Sequence, residues 1–353
     1  MHVREVNRVE FFDVTRGLLF LLMASSHALT LAGVSKDSPL WGQFWLPNGW
    51  ATTSFIMLSG LTIPIVYRWK DRGFSAVKAK VHRRAKEILL VMFCSNVIML
   101  VLKLLVQGRI GDAFGGEWWL GLVTFHTPYS ISAILIPTGL LMYVSPYLVK
   151  LESKVGWGLF GLTSLGAIFS LWLVKITFSE SSNRVFQILF SEGIGGFPVL
   201  PFLGLGMAGM SVGFFIVKKH SVNNISGILI ALMALVVIHN IFVHITDVDI
   251  SGFRAVSRFS ILCCIGVLVT NIKILGYLKF YFSLIGRFAL FSFLFHRVIL
   301  QVVAVFLAIV PVIIPNEVKY SILLFSAMAL IGCFCLLRQR VACLDVMFKR
   351  LYL

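Results

Sequence analysis

Two ionisable residues eleven positions apart, Arg16 and His27, stand in the run Arg8–Thr30, which opens charged and turns apolar at Gly17. Eleven positions of helix span roughly 16 Å at about 1.5 Å per residue. That is half of a bilayer core about 30 Å thick. One membrane helix can therefore hold a guanidinium at the water boundary and an imidazole near the midplane. Ionisable groups are costly in lipid, which makes both residues functional candidates. A neutral imidazole is the form that a general base or a nucleophile requires. Asp13 lies one turn before Arg16 on the same helix face, placed to pair with and orient the guanidinium. A second couple follows late in the chain, with Arg287 at an inner boundary and His296 nine residues further on. Both stretches run outward, so the two histidines are expected at similar depth.

The largest polar stretch, Arg68–Glu87, reads RWKDRGFSAVKAKVHRRAKE and is expected as an inner loop. Its plain reading is a basic anchor at lipid headgroups. Its functional reading is a landing site for a polyanionic cytosolic ligand such as a nucleotide-bearing cofactor, held by Arg83, Arg84 and Lys86. Two glycine patterns, Gly156-Gly158-Gly161 and Gly204-Gly206-Gly209, match GxGxxG but follow no strand. They read as close-packing positions in membrane helices, as does Gly209 with Gly213. His239 and His244 are five residues apart and have no carboxylate partner at ligand spacing, so no metal is expected, with or without Asp247 and Asp249. The six cysteines read as packing residues.

These groups need a scaffold, and composition names it. Of 353 residues 58% are hydrophobic and 13% charged, and the mean hydropathy is +0.92. The chain is a polytopic membrane protein. Ten apolar segments are expected at 17–34, 46–67, 87–106, 130–149, 157–177, 196–217, 225–245, 253–272, 284–310 and 318–337. No cleavable signal peptide precedes the first. The net charge of +16 serves orientation rather than nucleic acid: with both termini cytoplasmic, most Lys and Arg fall on the inner side. The expectation is an all-α bundle of about ten transmembrane helices, with residues 1–353 forming one integral-membrane domain. Segment 107–129, with Trp118 and Trp119, reads as a re-entrant or interfacial piece.

The run DVTRGLLFLLMASSH, with Asp13, Arg16 and His27, resembles the first helix of the acyltransferase-3 and glucan-succinyltransferase group, with a looser likeness to heparan-glucosaminide acetyltransferases. SFIMLSGLTI (Ser54–Ile63) is similar to that group's second helix, and HRRAKEI to the basic stretch after it. FPVLPFLGLGMAGMSVG (Phe197–Gly213), LIGRFALFSFLFH (Leu284–His296) and TFHTPYSISAILIPTGLLMYVSP (Thr124–Pro146) resemble later elements, in order. The chain departs from the group at Ser26, where Asp commonly precedes the histidine, and at Lys86, where a second Arg is common.

The resemblance implies transfer of an acetyl or succinyl group from cytosolic acyl-CoA to a hydroxyl of an extracytoplasmic carbohydrate. Arg16, Arg83, Arg84, Lys86 and Arg287 would hold the donor's phosphates. His27 would act as base or nucleophile, and His296 as a second base, shuttle or orienter. Trp118, Trp119 and Tyr129 are candidates for stacking on sugar. Membrane lipids are the surrounding partner, nucleic acid is not expected, and oligomerisation is left open. The rival is a glycan transporter or flippase with proton-relay histidines. Lysine lacks the bidentate fork of arginine. Arg16→Lys should therefore weaken donor use more than acceptor use, measured by varying each substrate in turn.

Overall fold

The chain's structure, a computed structural model, describes residues 10–41, 46, 49–67, 73–106, 134–177, 186, 189–190, 198–218, 225–246, 251–309 and 314–341. Segment 107–129 with Trp118, Trp119 and Tyr129, both termini, Asp247, Asp249 and Cys343 lie outside them. The helices are α1 (Glu10–Ala32), α2 (Trp50–Tyr67), α3 (Phe74–Val106), α4 (Leu135–Val155), α5 (Trp157–Thr177) and α6 (Val199–Lys218). The later ones are α7 (Ile225–Thr246), α8 (Ser251–Asn271), α9 (Gly276–Arg287), α10 (Ala289–Ile309) and α11 (Asn316–Arg340). The fold is all-α.

The ten apolar segments each coincide with helix, with two differences that matter for chemistry. Segment 284–310 is not one helix. It breaks at Phe288, so Arg287 ends the short helix α9 while His296 sits within α10. The expected inner loop Arg68–Glu87 is helix from Phe74 onward, and α3 runs for 33 residues, about 50 Å. That exceeds the bilayer core, and the basic residues ride on its first turns. Among the described residues six helices are long and apolar enough to cross a membrane: α1, α2, α10, α11, Val199–Val217 of α6 and Arg254–Asn271 of α8.

The chain divides into two compact units. The first comprises Met1–Phe55, Ile225–Asn240 and Ser257–Leu351. Here α1 packs against α9, α10 and α11, around a buried cluster including Phe20, Leu29, Phe282, Ile285, Phe291, Leu300, Leu324 and Ile331. The α1 and α9 backbones meet directly. A Cβ on Gly17 would run into the Phe282 backbone, and one on Gly286 into the Asp13 carbonyl. The Lys279 ammonium reaches the Glu10 carboxylate at 2.9 Å across the same pair. On another face of α1, the Ser25 hydroxyl and Tyr320 hydroxyl of α11 share a buried hydrogen bond of 2.9 Å.

The second unit comprises Ile56–Asn224, Ile241–Val256 and Tyr352–Leu353. In it α3 packs on α4, and α6 on α4 and α5. Glycine again sets the close approaches: Gly60 meets the Gly206 backbone, Gly209 the Met57 carbonyl and Gly213 the Leu61 carbonyl. The glycine pattern at 204–209 thus does the packing work expected of it. Gly158 and Gly161, from the other pattern, have open space around the Cβ position.

A methyl group forced against a backbone carbonyl overpacks by about 1–3 kcal/mol or more. Gly286→Ala should lower the thermal unfolding temperature of the detergent-solubilised protein, whereas Gly158→Ala, with nothing to strike, should leave it unchanged or raise it slightly.

Candidate active site

One stripe of α1 carries the site. Successive steps of three or four residues along a helix stay on one face, and Asp13, Gly17, Phe20, Ala24 and His27 follow that rule. Eleven positions make almost a whole number of turns at 3.6 per turn, so Arg16 and His27 share a side of the helix as well as a separation of three turns.

At the opening of the stripe, Arg16 Nη1 donates to Asp13 Oδ1 at 3.2 Å. The carboxylate side chain is 3% exposed and the guanidinium 27%. The pair is half-buried, so its removal costs more than loss of an exposed surface pair would. Gly286 lies against the Asp13 backbone, which brings α9's last turn to this end of the stripe. Arg287 follows directly and is exposed. The Arg338 guanidinium of α11 lies 4.6 Å from the centre of the Phe288 ring, covering the residue where α9 gives way to α10.

Three turns on, the structure brings the two predicted histidines together. The His27 and His296 rings stack with centroids 5.4 Å apart and planes inclined by 21°. His296 is 1% exposed, with Phe20 edge-on at 5.5 Å and Phe293 at 6.0 Å. Its Nδ1 lies 3.2 Å from the Ser292 carbonyl oxygen. A carbonyl can only accept, so the neutral ring carries its proton on Nδ1 and presents a lone pair at Nε2. Nε2 is buried and has no hydrogen-bond partner among the described residues. The Ser292 hydroxyl reaches the Ile285 carbonyl of α9 at 3.3 Å and also contacts Cys335 Sγ at 3.6 Å. Arg297, the next residue along α10, is partly buried, and its charge bears on both imidazoles. Arg297 is not among the site residues expected from the sequence, although it adjoins His296.

The remaining predicted donor-binding residues belong to the second unit. Arg83 Nε and Arg84 Nη1 each donate to Glu87 at 3.1 Å, to Oε1 and Oε2 respectively. Their side chains stay 66% and 42% exposed, and Lys86 is exposed. One carboxylate therefore spreads two guanidinium groups on the first turns of α3. His82 beside them stacks on Tyr143 at 4.3 Å.

A stacked imidazole pair with a buried lone pair, a nearby guanidinium and no protein partner for the reactive nitrogen can take a proton from a hydroxyl or accept an acyl carbon. No curated protein and no solved structure matches the chain. Residues 9–338 match the acyltransferase-3 family, described as an acyltransferase domain, a span that contains α1 through most of α11. The chain therefore belongs to the acyltransferase-3 family of multi-pass membrane proteins and is an O-acyltransferase-type enzyme.

Proposed function

We propose that this enzyme moves an acetyl or succinyl group from cytosolic acyl-CoA to a hydroxyl of an extracytoplasmic carbohydrate, acting as one domain in a bacterial inner membrane. The observation that carries the reading is the stack of His27 on His296, three helical turns from the Asp13–Arg16 pair along one side of α1. Arg16 and Arg287 bind the phosphates of CoA, and Arg83, Arg84 and Lys86 on the first turns of α3 present exposed cations suited to anionic groups in their own right. The extended pantetheine arm spans the half-membrane between guanidinium and imidazole, a distance of roughly 16 Å along α1.

The chemistry balances with the residues in hand. An imidazole Nε2 removes the proton of the acceptor hydroxyl as its oxygen attacks the thioester carbonyl. The carbon–sulfur bond breaks, the thiolate leaves, and the imidazolium returns the proton to sulfur to give free CoA thiol. In the covalent variant Nε2 itself attacks the carbonyl carbon, the carbon–sulfur bond breaks and the thiolate leaves. The sugar oxygen then attacks the acyl-imidazolium, Nε2 departs as the neutral ring, and the hydroxyl proton goes to the thiolate to give the thiol. Arg297 is placed to favour the negative charge that gathers on the carbonyl oxygen in either case. Ordinary acid–base assistance contributes about 10²–10⁴ in rate.

His27→Ala should lower acyl transfer by about that factor while expression and thermal unfolding stay near wild type; an unchanged rate removes His27 from the mechanism. His296→Asn keeps a donor where Nδ1 meets the Ser292 carbonyl but has nothing at the Nε2 position. It should fold normally and lose transfer, whereas His296→Gln, which carries an amide near Nε2, should fold less well. Labelled acyl-CoA given to the purified protein reads these rates. Glycan crossing the membrane without its label would point to transport instead.

A further inference from the structure

We infer that Trp50, Ser54 and Arg258 form the acceptor-side subsite, where a polyhydroxylated sugar ring is held next to the imidazole pair. The inference rests on the reading that the acceptor is a carbohydrate and names the groups that would hold it. Trp50 and Ser54 are one turn apart on the first turns of α2, on one stripe. Trp50 Nε1 and Ser54 Oγ are both buried and both lack a hydrogen-bond partner among the described residues, and Ser54 is 0% exposed.

Buried polar groups are nearly always paired, so two orphans on one stripe of helix call for a partner that the described protein atoms do not supply. Other buried hydroxyls in these helices behave differently. Thr15, Thr138, Ser145 and Ser164 each donate to a carbonyl three or four residues earlier on their own helix, as hydroxyls in apolar helices ordinarily do. Ser54 does not, and the Trp50 carbonyl that would serve it receives the Thr53 hydroxyl at 3.5 Å.

The surroundings suit a sugar. The Arg258 guanidinium stands 5.8 Å from the centre of the Trp50 ring, a cation–π contact that fixes the indole plane. An indole offers an apolar face to sugar C–H groups and one N–H donor to a ring hydroxyl, and a serine hydroxyl both donates and accepts. Phe55, next on α2, stacks on Phe293 at 5.6 Å, and Phe293 contacts the His296 ring. Two phenyl rings thus connect this turn of α2 to the His296 imidazole, whose Nε2 is likewise buried and without a hydrogen-bond partner among the described residues. All of these residues belong to the first unit.

The test uses full-length protein in lipid nanodiscs, [¹⁴C]acetyl-CoA or [¹⁴C]succinyl-CoA as donor, and as acceptor the envelope glycan fraction from host cells lacking the protein. The variants are Trp50→Phe and Ser54→Ala, singly and together, with Trp157→Phe as a control because the Trp157 indole already donates to the Ser211 carbonyl at 2.8 Å. The double variant should raise the KM for the glycan fraction by about tenfold and leave acceptor-free donor cleavage at the wild-type rate. An unchanged glycan KM would overturn the subsite, its orphans then being served by water or lipid. A fall in donor cleavage that tracks the loss of glycan transfer would overturn it too, by assigning these residues to donor binding or to support of α2. Wild-type protein that cleaves neither donor would sink the acyl-CoA reading itself, and the subsite with it.

Discussion

Helices in a bilayer gain little by hiding leucine from lipid, because the surrounding chains are as apolar as the side chains they replace. What holds two of them together is close packing, and here it is drawn to its limit where α1 and α9 touch backbone to backbone at Gly17 and Gly286. The two arginines assigned to the inner mouth are the sequence neighbours of these glycines: Arg16 precedes one and Arg287 follows the other. The residue that allows the approach and the residue that bears the charge are thus fixed to each other by a single peptide bond. The Asp13–Arg16 pair follows from this contact, since the Asp13 backbone is one of its surfaces, and the stripe of α1 leads from there to His27.

Much of this was legible in the chain. Hydropathy located the apolar stretches of the helices but not α9 or the basic start of α3, and the pairing of Arg16 with Asp13 and the meeting of His27 with His296 follow from helical spacing and the shared direction of two segments. Other features were hidden for physical reasons. The break at Phe288 has no proline, and one arginine, Arg287, is too little charge to interrupt an otherwise apolar run, so hydropathy reads straight through it. The glycines at 17 and 286 are isolated and belong to no recognisable pattern, because the crossing partner of each is an ordinary backbone carbonyl with no side-chain signature. Arg297 carries no sequence signal beyond its place next to His296, and its charge bears on both imidazoles only through the packing of α10. Trp50 and Ser54 betray themselves by bonds they fail to make, which a string of letters does not show.

Polarity inside the first unit is distributed with a purpose that the hydrogen bonds reveal. Groups that only build helices, such as Thr15 and Ser25, are satisfied by the protein itself. The buried polar atoms of His296, Trp50, Ser54 and His239 have no hydrogen-bond partner among the described residues, and a buried donor or acceptor left unpaired costs about 1–3 kcal/mol. Apolar rings pack against the His296 imidazole, with Phe20 edge-on and Phe293 beside it, and they keep water from its buried nitrogen.

The interruption at Phe288 makes α9 a lever separate from α10, and Ser292 is a hinge pin between them. Its hydroxyl holds the Ile285 carbonyl on one side of the break, and its own carbonyl holds His296 Nδ1 on the other. The residue that ties down the end of α9 thus also sets which nitrogen of the ring carries the proton, so the joint between the two helices and the tautomer of the imidazole are fixed by one serine.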